Sequence, residues 1–360
     1  MKKKQIPMER NPEGLPAGSN SDFFPGFVSM QGSGRVVRMK NNMKVILAIA
    51  LLLVLMGILI ISSYLYINDT NRKNATAKIS VIVYGSGASD RWSTLKQGLD
   101  QGALDFHAEI NFVTTTEEKD AAEQYGLIER EIANGSQGII LAAADSSELS
   151  GMVREHAAGV PVVLVETSIK NAEGLTYISA DNYSMGLNIG RSVYLSGDQN
   201  KTVAVFVDNL QRNSVLERYE GLLDSLQYTD CTIKPWEPEE ETDIAAFLKA
   251  KLEKEPTDVI VALDDRSLEA VIDAVQVAES SVDVYGIGST NKIVHYLDYG
   301  LIKSIVFQNE FNMGYLSVQE AVRSIGQEEK KPDIDIEFRT VNKVTMYLPK
   351  NQRLVFPIVQ

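Results

Sequence analysis

GIILAAADSSEL, residues 138–149, and DVIVALDDRSLEAV, residues 258–271, carry the architecture of this chain between them. Each reads as a short aliphatic run, an acidic turn, and a helix opened by Asp or Ser, whose side chains cap helix N-termini. A run without polar alternation belongs to a strand covered on both faces, the condition of a parallel sheet in an α/β protein. The pairing recurs in KISVIVYGS (78–86) against KTVAVFVDN (201–209), and in VPVVLVE (160–166) against VDVYGIG (282–288). Two doubly wound parallel-sheet lobes of similar build are therefore predicted. In the first, strands are expected at Ile79–Tyr84, Glu109–Thr114, Gly138–Ala143 and Val162–Glu166, with helices starting near Ser93, Lys119 and Ser147. Lobe one is expected over residues 78–181 and about 309–336, lobe two over 182–308 and about 337–360. The chain then crosses a multi-strand hinge near Ala180-Asp181-Asn182, near Gln308-Asn309, and again within Ile336–Met346.

VILAIALLLVLMGILIISSYLYI, residues 45–67, has no charge and is long enough for a transmembrane helix. Residues 1–44 carry eight Lys/Arg against three acids, and 1–38 lack apolar periodicity, so a basic, disordered, cytoplasmic tail is expected. Residues 68–77 read as a linker, and the rest of the chain as extracytoplasmic. Ala75-Thr76-Ala77 offers the competing reading of a cleaved signal peptide. The formal charge of -13 repels a phosphate backbone and argues against nucleic acid as a partner. One cysteine, Cys231, and three scattered histidines give no disulfide, no metal-ligand spacing and no Cys/His pair. Neither metal nor cofactor is expected; Gly85-Ser86-Gly87 lacks the spacing of a phosphate-binding loop.

In open α/β sheets the ligand crevice forms beyond the carboxyl ends of the strands. Two such lobes facing each other make a cleft walled by those ends. Lobe one offers the run to Trp92, with Asp90 and Arg91, then Thr114–Thr116, Asp145, and Glu166-Thr167. Lobe two offers Asp208–Asn213, with Arg212 and Asn213, then Trp236, Asp264-Asp265, and Gly288–Thr290, with Ser289. Carboxylates, amides and an aromatic face suit a small polar ligand such as a polyol. Helix capping competes for Asp145, Asp264 and Asp265.

Four stretches, TLKQGLDQGA at Thr94, ISADNYSMGLNIG at Ile178, LERYEGLLDSL at Leu216 and DVIVALDDRSLEAV at Asp258, give residues 78–350 a further meaning. In their order and spacing the chain resembles the type I periplasmic sugar-binding proteins, the ribose/galactose class that shares its fold with the lactose-repressor effector domain. By that resemblance the family's sugar-sandwiching aromatic pair falls on Arg91 and Trp92, and its Asp-Arg pair on Glu166 and Thr167. The arginine at the head of the second lobe's first helix falls on Leu216, with Arg212 or Asn213 as substitutes. The Asn-Asp turn corresponds to Asp264-Asp265, the hinge glutamine to Gln308, and the Gly-Phe-Asp turn to Gly286-Ile287-Gly288, followed by Ser289 and Thr290.

The resemblance implies a single-pass, membrane-anchored, extracytoplasmic solute-binding protein without covalent chemistry. It would close around a sugar or sugar-like molecule and serve an ABC-type uptake system through its permease. A transmembrane anchor suits equally a receptor that signals to a membrane histidine kinase or chemoreceptor. The reading from a different class is an extracellular hydrolase with Asp264, Asp265 and Glu166 as acid/base groups, for which no nucleophile motif stands in the sequence.

Overall fold

The computed structural model describes residues 34–74, 76–85, 90–156, 159–197, 200–239, 242–325 and 332–355; the tail expected at 1–33 lies outside them. The chain divides into two compact units, the first ending at Lys73 and the second beginning at Asn74. The first contains α1 (Gly34–Asn74) but for its last residue; the stretch Asn42–Tyr66 is 25 residues long, and its most apolar 18 residues have a mean hydropathy of 3.2 and are not buried. The helix overruns the expected apolar core at both ends. Residues 34–44, expected as tail, and 68–74, expected as linker, are helical too. Once a helix is nucleated, each further residue costs little and gains a hydrogen bond.

The second unit is built on two six-stranded sheets. The first sheet takes β1 (Ala77–Val83), β2 (Ala108–Thr114), β3 (Gly138–Leu141), β4 (Val162–Val165) and β5 (Thr176–Ser179). Between them run α2 (Ser93–Phe106), α3 (Ala121–Ala133) and α4 (Glu148–His156). After α5 (Asn182–Tyr194) the second sheet takes β6 (Thr202–Phe206), β7 (Thr232–Trp236), β8 (Val259–Ala262), β9 (Asp283–Ile287) and β10 (Ile302–Gln308). Its connections are α6 (Asn213–Leu226), α7 (Ile244–Lys254), α8 (Asp265–Val277) and α9 (Asn291–Tyr299). Then α10 (Glu310–Ser324) leads to β11 (Ile334–Asp335) on the first sheet, β12 (Phe338–Val341) on the second, and α11 (Pro349–Val355).

The orders are β2-β1-β3-β4-β5-β11 and β7-β6-β8-β9-β10-β12, one topology drawn twice. Every sequence echo joins equivalent strands: β1 with β6, β3 with β8, β4 with β9. Pairing is parallel throughout except that β12 runs antiparallel to β10. The central strands are buried along their whole length because helices cover both faces. Each fully buried Val, Leu or Ile there contributes roughly 1.5–3 kcal/mol.

One apolar core is continuous through both sheets by way of α2, α10, α5 and α6, and each lobe adds a second core on its other face. The helix pairs α2 with α10 and α5 with α6 pack in close approach. Glycine permits it: a Cβ at Gly98 would collide with the Phe311 carbonyl, and one at Gly186 with the Arg218 carbonyl. The second contact matters for the site, since it draws α6 against α5 and carries Arg218 to Asn182. Where the chain passes between sheets it is tied by Ile336 N–H to Ser179 O at 2.9 Å, Asn309 N–H to Glu337 O at 2.9 Å, and Ala180 N–H to Gln308 Oε1 at 3.4 Å.

Candidate functional site

The carboxyl ends of the two sheets face each other and enclose a network of charged side chains. On lobe one, buried Tyr84 follows β1 directly, and the 3-10 turn Asp90–Trp92 turns Arg91 back over it. Trp92 donates its indole N–H to the Tyr84 carbonyl at 3.0 Å and meets the Tyr84 ring edge-on at 5.2 Å. Arg91 lies 4.6 Å from the Trp92 ring centroid, so the tryptophan backs the arginine and stands a layer behind the cleft.

Glu166 follows β4 with φ 58°, a left-handed conformation that costs a non-glycine residue of order 1–3 kcal/mol. Donors on three sides hold it there: its carbonyl accepts from Tyr177 Oη at 2.6 Å, Ser179 Oγ at 3.2 Å and Asn182 Nδ2 at 3.5 Å. The strained backbone aims the carboxylate inward, where Oε1 accepts from Arg91 Nη2 at 2.6 Å and Oε2 from Tyr84 Oη at 2.6 Å. Arg91 Nη2 also donates to Tyr84 Oη at 2.7 Å, closing a triangle of three buried groups. Burial alone would raise the Glu166 carboxyl, but Arg91 and then Arg218 outweigh it and hold the group below its usual range. Burial pushes the Tyr84 phenol up and keeps it protonated.

On lobe two, Arg212 stands just before α6, with its guanidinium 4.3 Å from the other side of the tyrosine network, over the Tyr84 ring. It donates to Asp264 Oδ2 at 3.3 Å. Asp264 caps α8 through Ser267 N–H at 2.8 Å; burial opposes its charge, Arg212 and Arg91 favour it, and its carboxyl sits at about 2. The next residue behaves oppositely. Burial pushes Asp265 up to about 6 despite Arg91 and the Ser289 N–H that it accepts at 2.8 Å. Glu310, at the start of α10, is pushed well above its usual range by burial and then by the Asp265 charge. Arg218 donates to Asn182 Oδ1 at 2.8 Å and to the Leu263 carbonyl at 3.0 Å.

Three guanidinium–carboxylate pairs span the cleft, each with one member per lobe: Arg91 with Asp265 at 3.7 Å, Arg218 with Glu166 at 3.6 Å, and Arg212 with Glu118 at 4.0 Å. All exceed a direct hydrogen bond. Arg212 Nε and Nη1, Arg218 Nη2 and Glu118 Oε2 are buried with no hydrogen-bond partner among the described residues. The rims touch directly: the Thr167 and Ser214 hydroxyls are 2.7 Å apart, Ser168 N–H donates to Asn213 Oδ1 at 2.7 Å, and Asn291 Nδ2 to Asp90 Oδ2 at 2.7 Å. Lys119 Nζ reaches the Asp208 carbonyl at 2.7 Å.

Two cavities open from this network. One of about 240 Å³ is lined by Asp90, Arg91, Thr94, Gln97, Ser289, Asn291 and Glu310 among others, and one of about 210 Å³ by Arg91, Thr116, Glu118, Asp265 and Glu269 among others. Arg91 and Thr290 line both. A larger cavity of about 430 Å³ lies between α7 and α8 on lobe two, lined largely by apolar side chains such as Ile244, Ala270 and Val277.

Of the residues expected from sequence, Asp90, Arg91, Glu166, Thr167, Arg212, Asn213, Asp264, Asp265 and Ser289 come together across the cleft, and Gln308 lies at the hinge. Trp236 does not join them. Its side chain is fully buried in the lobe-two core and its indole donates to Glu255 Oε2 at 3.0 Å, because β7 is the edge strand and its end packs beneath α7. Asp145 serves as a cap, accepting from Ser147 and Glu148 N–H at 2.6 and 2.7 Å. Leu216, where the resemblance put the family's arginine, is exposed, while Arg218 two residues later is buried beside Glu166. Tyr84, Glu118 and Glu310 were not expected at all. Tyr84 was legible as the one polar aromatic ending KISVIVYGS, but a strand-end tyrosine carries no mark of the face it will take.

The profile of the periplasmic binding protein domain family matches residues 79–329. No curated protein matches the chain. Among solved structures, it is similar to a carbohydrate transporter solute binding protein from Agrobacterium radiobacter in complex with D-arabinose, at 19% identity and a TM-score of 0.72, covering 78% of this chain and 99% of that one. An ABC transporter solute binding protein from Agrobacterium vitis with bound D-fucose gives 18% identity and a TM-score of 0.71 over 78% and 100% of the two chains. A glucose-galactose binding protein from Geobacillus stearothermophilus gives 20% and 0.66 over 76% and 100%. At these identities the likeness is one of fold.

Proposed function

The chain belongs to the periplasmic binding protein family, and on that premise we propose that it is a membrane-anchored, extracytoplasmic receptor for a small neutral polyol, a sugar or sugar-like molecule, serving an ABC-type uptake system. One observation supports the ligand class above the rest. The three cross-cleft pairs are spaced at 3.6–4.0 Å, and buried atoms of Arg212, Arg218 and Glu118 in them have no hydrogen-bond partner among the described residues. A hydroxyl beside such a pair accepts from the guanidinium and donates to the carboxylate, satisfying both. A buried donor left unsatisfied costs roughly 1–3 kcal/mol, which such a ligand recovers. A sugar presents several hydroxyls at once. The same three cations and their carboxylates offset one another, so a strongly charged ligand gains less.

Two of the three carboxylates that an acid/base reading would use are already engaged. Asp264 caps a helix and pairs with Arg212, and Glu166 is tied to Arg91 and Tyr84. The test is a thermal-shift panel of monosaccharides, polyols and amino sugars on the full chain. A ligand at 100 times its dissociation constant adds about 2.7 kcal/mol to the folded state. Neutral monosaccharides should raise the melting temperature; a panel in which only charged compounds do so sinks the assignment.

The long apolar helix preceding the domain favours a second reading, in which the receptor stays beside a membrane histidine kinase or chemoreceptor and reports the ligand to it. Deleting the gene separates the two. Loss of labelled-sugar uptake supports transport, and loss of the sugar's transcriptional response with uptake intact supports sensing.

A further inference from the structure

Arg91 sits where both lobes and both cavities meet. Its Nη2 is committed to Glu166 and Tyr84 on its own lobe, while its Nη1 faces Asp265 of the other at 3.7 Å. Aromatic faces lie against it at 4.6 and 5.0 Å, from Trp92 and Tyr84. With Thr290 it lines both of the cavities, of about 240 and 210 Å³. Without this cation, Asp265 would look toward Glu166 and Glu310 across the cleft with like charge or a trapped proton. With it, attraction runs from lobe to lobe in a medium where charges are poorly screened. The rims add their own direct bonds, Thr167 to Ser214, Ser168 to Asn213 and Asn291 to Asp90.

We infer that Arg91 is an internal latch: the protein itself supplies the cation that draws the lobes together, so the closed form dominates before a ligand enters. Ligand binding then shifts an equilibrium already inclined to closure, and its hydroxyls wedge into pairs that are already juxtaposed. A ligand can move such an equilibrium only by its preference for one form, so the shape change on binding is small. This goes beyond the sugar assignment and holds for any ligand of the cleft.

The experiment uses the full chain in lipid nanodiscs, dialysed free of small molecules, with the single native cysteine removed by Cys231→Ser. One nitroxide is placed on each lobe at Leu104→Cys and Val277→Cys, both exposed, and the distance distribution is read by double electron–electron resonance. A short, narrow distribution that becomes longer and broader in Arg91→Ala is the expected result. Should Arg91→Ala fail to fold, Arg91→Gln, which keeps most of the side-chain volume and removes only the charge, should broaden the distribution in the same direction. A long, broad distribution in the parent protein, or a narrow one unmoved by either substitution, overturns the latch. No ligand enters the readout, so its outcome is separate from that of the sugar panel.

Discussion

The turns after β1 and after β6 occupy equivalent places in the two lobes, and each sends an arginine to the ring of Tyr84, Arg91 at 5.0 Å and Arg212 at 4.3 Å. Their surroundings differ. Arg91 is held by a carboxylate at 2.6 Å and a phenol at 2.7 Å, whereas the direct partner of Arg212 is Asp264 at 3.3 Å. Duplication reproduced the scaffold and the position of the guanidinium, while the neighbours divided the work. The lobe-one arginine is tied by two short bonds within its own lobe, and the lobe-two arginine by a single longer one.

The heaviest blow to this contrast is Glu166→Ala. It leaves Arg91 and Arg218 buried without their carboxylate, and breaking a buried pair from one side costs about 3–5 kcal/mol. Urea denaturation should show that loss; a change within experimental error would mean that the lobe-one arginine is not structural.

Next in size is the response to pH, where adjacent residues should pull in opposite senses. Asp265 has a folded pKa of about 6, above its ordinary 3.8, so it favours the folded state below 3.8 and that contribution is lost as pH rises through 6. Asp264, at about 2, contributes stability above 3.8 that is lost as pH falls through 2. Melting temperature followed from pH 4 to pH 7 should therefore fall more steeply in the parent than in Asp265→Asn. Equal slopes would place Asp265 outside the network.

Replacing each arginine by lysine sharpens the division of labour. Arg212→Lys keeps the charge but loses the unpartnered donors and should weaken binding of the best sugar about 10–100-fold by calorimetry, as for hydrogen bonds to charged groups. Arg91→Lys should lose less affinity and more stability. The reverse ranking would exchange the two roles.

Smallest is Trp236→Phe, which removes the bond to Glu255 and should cost about 0.5–1.5 kcal/mol with sugar affinity unchanged. Altered affinity would return this tryptophan to the cleft.

The repeated strand-turn-helix pattern made the fold legible before any coordinates, because periodicity and capping are local properties. Strands expected at 79–84, 109–114, 138–143 and 162–166 lie within a few residues of β1 to β4. The site was legible in part. Strand-end position sufficed for Glu166, Asp264 and Asp265, which follow directly from where parallel strands finish. It misled for Trp236, since an edge strand lets a large side chain fold under the next helix. Carrying the family's arginine over by position landed on Leu216, half a turn from Arg218, and on a helix that displacement selects the opposite face. Glu118 and Glu310 come from a loop and a returning helix, whose approach to the cleft no local pattern announces.

Composition and periodicity were enough to fix two α/β halves, a long apolar helix ahead of them and a cleft between them, because burial and hydrogen bonding are satisfied segment by segment. Which cation meets which carboxylate was settled only by packing. The close contact of Gly186 with α6, the left-handed turn at Glu166 and the crossing into α10 bring together groups from positions 84 to 310, and Coulomb interactions depend on that distance in space.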